Sequence, residues 1–167
     1  NKVYTGTTTL TDITGALTIT ADDWQIVQLD DELHFFQAGH VPLVYDASVG
    51  TLQLHSSHTA AAGTPPQGDC VASGMGRLFA AGVSGAEHVI YWSDLLIGTG
   101  WSGGSSGSID TQKSWPNGYD AIQAITIHNN FLVVFGKRNI LVYSGADSPS
   151  TMFLQDTIVG IGCQHRD

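Results

Sequence analysis

Seven histidines and fifteen carboxylates are the groups of this chain with acid–base or metal chemistry to offer. Few of them fall at spacings that such chemistry needs. His55-Ser-Ser-His58 sets two imidazoles three positions apart, a metal-ligand spacing. Zinc needs three or four protein ligands, and no third stands beside the pair, so the segment reads as a solvated loop. Asp30-Asp31-Glu32 gathers three carboxylates. Calcium draws six or more oxygens from several loops, and here the triplet merely separates two apolar runs, as the solvated tip of a hairpin does. No G-x-S-x-G nucleophile motif is present, and Gly103-Gly-Ser-Ser-Gly107 lacks the Lys of a phosphate loop. We therefore expect no enzyme, no catalytic residue, no metal and no cofactor. Trp92, Trp101 and Trp115 are the candidate interface residues. They lie in or near the loops that follow one strand, where they pack the rim, anchor a subunit or fibre contact, or form a sugar platform.

Three segments that repeat one plan must position these groups. Trp24–Leu29, Leu33–Phe36 and Val41–Tyr45 form the first. Asp69–Ala72, Arg77–Ala81 and His88–Trp92 form the second. Ala124–His128, Phe131–Phe135 and Ile140–Tyr143 form the third. Each opens with two apolar runs joined by a tight turn of Asp, Gly or Asn, residues that accept a positive φ. The leucines after those turns, Leu33, Leu78 and Leu132, lie 45 and 54 residues apart. Tyr45, Tyr91 and Tyr143 follow 12, 13 and 11 residues later, each with an Asp close behind. A period of about 40–50 residues with several strands per unit is the signature of propeller blades.

The runs are rich in Val, Ile, Phe and Tyr, which suit a pleated buried surface. Phe131–Phe135 is unbroken, as in a strand covered on both faces. A fourth, outer strand is expected at Thr51–Leu54 and at Met152–Leu154. Thr7–Thr20 reads as a strand or hairpin turning at Gly15, Ser56–Gly68 as a linker, and Gly98–Gly107 and Ser114–Asp120 as loops. The expected fold is all-β: about three and a half β-propeller blades in one domain over residues 1–167. Closed propellers have four or more, so missing sequence or a partner is expected to complete the ring. The chain does not begin with Met and Ile158–Gly162 reads like a strand being entered, so both ends look cut.

Charged residues are 13% of the chain, about half the usual share, which suits a surface largely covered by neighbours. The net charge is −9, with the cations scattered at Lys2, Arg77, Lys113, Lys137, Arg138 and Arg166. A grip on duplex DNA requires several phosphates to be neutralised, so an acidic surface repels DNA rather than holds it. No apolar run is long enough for a membrane helix. Cys70 and Cys163 read as buried thiols.

Ser108-Ile-Asp110-Thr-Gln112-Lys-Ser114-Trp115 approaches the Asp-box turn of sialidase-like propellers, S-x-D-x-G-x-T/S-W, with Gln112 at the turn glycine. A sialidase also needs an arginine cluster, and the arginines here are Arg77, Arg138 and Arg166. A second set of motifs extends further. Met75-Gly-Arg-Leu-Phe-Ala-Ala-Gly82 with Val89-Ile-Tyr-Trp-Ser-Asp-Leu95 resembles the propeller region of podovirus tail nozzle proteins, also called tail tubular protein B or DNA-stabilisation protein. The resemblance continues through Gly107–Asp110, Trp115–Gly118, His128–Lys137, Asn139–Gly145 and Asp156–Cys163, and covers roughly residues 69–167. It implies a virion protein of the phage tail, assembled in the host cytoplasm. It further implies a homo-hexameric ring, contacts with tail adaptor and tail fibre proteins, and a channel through which dsDNA passes without specific binding. The family carries no catalytic residues to transfer. The alternative is a carbohydrate-binding propeller, a lectin or receptor-binding module, with Trp101 and Trp115 on an exposed groove.

Overall fold

The computed structural model describes residues 1–20 and 23–164; Arg166 and the end of the resembling stretch lie outside them. Alternating apolar runs and tight turns give an all-β chain. A small ribbon pairs β1 (Tyr4–Thr5) with β2 (Thr11–Asp12). Sheet one holds β3 (Gln25–Leu29), β4 (Glu32–Phe36), β5 (Leu43–Asp46) and β6 (Leu52–Leu54). Sheet two holds β7 (Cys70–Gly74), β8 (Arg77–Ala81), β9 (Val89–Trp92) and β10 (Gly107–Asp110). Sheet three holds β11 (Ile122–His128), β12 (Phe131–Gly136), β13 (Asn139–Ser144) and β14 (Phe153–Val159). Each is an antiparallel meander with strands in chain order.

The first hairpin of every sheet has a two-residue loop: Leu29 faces Glu32, Gly74 faces Arg77, and His128 faces Phe131. Asn129 and Asn130 carry φ of 47° and 65°, and Met75 and Gly76 carry 52° and 69°. Two consecutive positive φ values match the right-handed twist of the flanking strands. Glu32 therefore belongs to a strand, not to the turn.

The sheets are layered by drying each other's faces. Leu29 and Phe36 of sheet one pack on Val71, Leu78 and Ala80 of sheet two. The opposite face of sheet two, with Phe79, Ile90 and Trp92, packs on Leu132, Val134, Leu141 and Tyr143 of sheet three. Sheet two is thus covered on both sides, and every residue of β8 is buried. The outer face of sheet one rests on Ile13 and Ile19 from the N-terminal segment. The two-sided burial expected of Phe131–Phe135 is found at β8 instead. In β12, Leu132 and Val134 are buried, whereas Phe131, Val133 and Phe135 are only half-buried. The first strands follow one another, β3 against β7 and β7 against β11.

The outer strands expected near Leu52 and Phe153 are present. That of sheet two, β10, was hidden by its polarity, since Ile109 is its one large apolar residue. The three tyrosines are not equivalent. Tyr45 faces Leu33 and Tyr143 faces Leu132, but Tyr91 faces Ala80, two positions off register. Cys70 is buried, whereas Cys163 is half-buried.

Asp120 secures sheet three. It is 4% exposed, and its carboxylate accepts the backbone N–H groups of Lys137 (3.0 Å) and Arg138 (2.9 Å) at the β12–β13 turn. Gly136 makes room for it, since a Cβ there would stand 2.6 Å from Asp120 Oδ2 and 2.9 Å from the Trp115 ring. Asp120→Ala strands both donors, and hydrogen bonds to a charged group are worth roughly 1.5–3 kcal/mol each. Urea denaturation is expected to show a loss of about 3 kcal/mol, and a smaller loss for Asp120→Asn, which keeps one acceptor.

Candidate functional site

His34 sits in the middle of β4, two residues after Glu32, so both side chains leave the same face of the strand. That face turns toward sheet two. His55 opens a short 3₁₀ turn, His55–Ser57, that directly follows β6, and His58 comes just after it. The loop after β9 completes the site from the other side. It runs back to the segment that follows sheet one, where the Trp101 backbone N–H donates to Ala62 O (2.7 Å) and Ala62 N–H to Thr99 O (3.3 Å).

The polar atoms form a chain of defined direction. The Trp101 indole can only donate, so His55 Nδ1, 3.3 Å from Nε1, is an acceptor. A neutral His55 then carries its proton on Nε2 and donates to His34 Nδ1 at 3.1 Å. His34 in turn carries its proton on Nε2, which faces Glu32 Oε2 at 3.4 Å without making a hydrogen bond. On the other side, His58 Nδ1 takes the backbone N–H of Ala60 (3.3 Å) and contacts Thr99 Oγ1 (3.2 Å). That leaves His58 Nε2–H to donate to the other oxygen of Glu32 at 3.1 Å. The Glu32 carboxylate thus holds His58 on one oxygen and faces His34 with the other.

Burial sets the charges. His34 and His55 are fully buried. Loss of solvent, helped by His58, pushes His34 down to about 4. Loss of solvent and the adjacent His34 hold His55 well below the ordinary imidazole value. Burial raises the Glu32 carboxyl against the pull of His58, with Asp46 and Asp30 adding to the rise. Packing fixes the His34 ring as well. A Cβ on Gly98 would collide with His34 Cε1 and Nε2, and His55 meets Phe36 edge-on and stacks on Trp101 with ring centroids 5.4 and 6.5 Å away.

This corrects two sequence expectations. His55 is not on a solvated loop but 0% exposed, and His58 is not without further ligand groups: Glu32 touches it. Glu32, Asp46 and His58 each offer a ligand atom within 4.8 Å of the others. The missed signal was Glu32-Leu33-His34, an acid and an imidazole at strand spacing within an apolar run. The Gly98–Gly107 loop is likewise not free over its first part, because Gly98, Thr99 and Gly100 are buried.

The tryptophans are spread through the core. Trp92 and Trp115 are each 4% exposed between sheets two and three. Trp101 is half-buried against sheet one. The structure does not bring the three to one surface. At the Asp-box-like segment, Asp110 Oδ1 accepts the Gln112 N–H (2.8 Å) and Tyr143 O–H donates to Ser114 Oγ (2.7 Å), a local fastening of the turn. The chain matches no protein-family model and no curated protein sequence.

The buried imidazoles link folding to pH. Above the ordinary imidazole range they are neutral whether folded or not, so stability is flat. From about pH 6.5 down to about 4 the unfolded chain binds protons that the folded His34 and His55 refuse, so stability falls as pH falls. Glu32 opposes this, because its raised carboxyl takes a proton earlier in the folded state. It is one group against two. His34 alone contributes on the order of 3 kcal/mol by pH 4. Urea midpoints in chelator-containing buffer are expected to drop steadily over this window. His34→Gln is expected to flatten the drop while lowering the midpoint at pH 7.

Proposed function

We propose that the chain is part of a β-propeller with a mechanical role, a nozzle component of a phage tail that packs against copies of itself and neighbouring tail proteins around a DNA conduit. One observation carries the propeller: three four-stranded meanders whose first strands pack in succession, β3 on β7 and β7 on β11. In a propeller the first strand of each blade lies nearest the axis. The tail assignment rests on the resemblance over residues 69–167. The formal charge of −9 suits a wall that lets DNA slide past.

Sheet three supports the need for a neighbour. Phe131, Val133 and Phe135 of β12 and Ile140 and Val142 of β13 form one half-buried apolar face. Beside them Ile158 of β14 is 42% exposed. Apolar patches of this kind mark contact surfaces, and in a propeller the next blade covers this one. A sugar-binding reading gains nothing from Trp115, which is 4% exposed, or from Trp101, whose N–H is engaged by His55.

Electron microscopy of the protein assembled with its tail partners is expected to show rings with blades around an axis. Val133→Asp and Ile158→Asp are expected to block ring formation while leaving the β circular dichroism of the separate chain intact. Assembly undiminished in both variants counts against this face as a contact. An isolated sandwich with no radial arrangement would overturn the reading.

A further inference from the structure

We propose that Glu32, Asp46 and His58 form a binding site for a divalent transition-metal ion, zinc by its ligand chemistry, that ties sheet one to the loop of sheet two. Glu32 and Asp46 face each other directly across β4 and β5. Like charges in that position destabilise a strand pair, and among the described residues no lysine or arginine forms an ion pair with either carboxylate. A cation between the two carboxylates removes that repulsion.

The distances suit one ion. Glu32 Oε1 and His58 Nε2 are 3.1 Å apart. Two ligands at about 2.0–2.1 Å from zinc have that separation when the angle between them is about 100°. A ligand atom of Asp46 lies within 4.8 Å of both. Its two oxygens already accept the Ser48 N–H (2.7 Å) and hydroxyl (2.8 Å), so its approach to the ion is made at the expense of one of these contacts. Two carboxylates and one imidazole match zinc better than calcium, whose ligands are oxygens. Three protein ligands leave a fourth position to water, and the Glu32 side chain, 23% exposed, provides the way in.

An independent observation points to the same place. His34 Nε2 is a fully buried nitrogen with no hydrogen bond, aimed at Glu32 Oε2 from 3.4 Å. With the ion on Oε1, Oε2 becomes the outer acceptor and His34 its donor, the usual way a ligand carboxylate is held in place. Thr99 Oγ1, 3.2 Å from His58 Nδ1, plays the matching part for the imidazole. Binding moves one proton within His58 and releases none. Nε2 gives up its hydrogen to become the ligand, and Nδ1 gains one and donates it to Thr99, whose hydroxyl turns to accept. Ala60 N–H loses its contact with Nδ1. The cross-sheet contact from His58 to Thr99 becomes a donor held by the metal.

The test titrates zinc chloride into the chelator-stripped chain, with calcium chloride as the control. Three quantities are read: zinc retained per chain after dialysis, the melting temperature, and the ¹⁵N shifts of His58. Expected are one zinc per chain, a melting temperature raised by zinc and restored by EDTA, no effect of calcium, and a switch of the His58 proton from Nε2 to Nδ1. Glu32→Gln and Asp46→Asn are expected to weaken zinc binding by about tenfold or more. Their metal-free melts report whether they still fold. Asp110→Asn, which alters the separate His88–Asp110 contact, is expected to bind zinc as the unaltered chain does. Absence of zinc retention at micromolar concentrations overturns the proposal. So does binding that persists unchanged in both ligand variants, or an unchanged His58 tautomer in the zinc-loaded chain.

Discussion

A β-sheet of four strands has two faces, and an apolar face is dry only if something lies against it. That constraint organises this chain. Sheet two meets it on both sides, which is why β8, Arg77–Ala81, is buried throughout. Sheet one meets it on one side with sheet two and on the other with Ile13 and Ile19 from the N-terminal segment. Sheet three has one covered face and one with Phe131, Val133 and Phe135 half-buried. Stability therefore builds up between neighbours rather than within sheets, as it does in repeat architectures.

Layering of this kind also traps polar groups, and the interface between sheets one and two shows how it copes. Three imidazoles lie there with almost no water. An isolated buried charge would cost several kcal/mol, so His34 and His55 are held neutral, and the hydrogen bonds run in one direction from Trp101 through His55 to His34. Trp101 supplies a donor that cannot accept, and the tautomers of His55 and His34 follow, leaving His34 Nε2 facing Glu32 without a hydrogen bond. Gly98 is part of the same solution, since no side chain fits over the His34 ring. The interface is specified by direction as well as by shape. A slip of β4 by one residue would turn His34 and Glu32 away from the loop that completes them.

Much of the fold was legible because the signals were local. Two-residue hairpin loops and Val, Ile and Phe runs located nine inner strands to within about two residues. Leu52–Leu54 was anticipated as an outer strand. Of Phe153–Val159 only the first two residues fell inside the expected Met152–Leu154, and Ile158–Gly162, read as a strand being entered, is the end of β14 and the chain just after it. The Gly107–Asp110 strand was not anticipated, since an edge strand that packs little carries a polar sequence. The site was less legible. His55 and His58 were noticed as a pair, yet Glu32, His34, Asp46 and Thr99 come to them through the β4–β5 register and a loop from another sheet. Nothing in a linear sequence says that residues 98–101 will pair with Ala62. The tryptophans misled for a related reason. Their clustering along the chain suggested a surface, whereas Trp92 and Trp115 fill the space between sheets two and three.

The loop after β9 shows how such long-range placement is achieved without a regular element. It leaves sheet two at Ser93 and returns at Ser105, and its base is clasped from two sides. The Asp94 carboxylate accepts the Leu95 N–H and both the N–H and hydroxyl of Ser105. The Arg77 guanidinium, itself buried, donates to Ser93 O and to Ser105. With both feet fixed, the span between has little freedom left to lose, so the single pairing with Ala62 suffices to hold Thr99 and Trp101 against the histidines. Arg77 of sheet two and Asp94 of the loop after β9 thus set the geometry of a polar site whose titratable groups all belong to sheet one and the turn that follows it. The spacing from Leu78 to the register-equivalent Ser93 is longer than the 12 residues from Leu33 to Tyr45, and that extra length shifts Tyr91 out of line. The second repeat breaks the common plan where its third strand and the loop after it must serve the first repeat as well as itself.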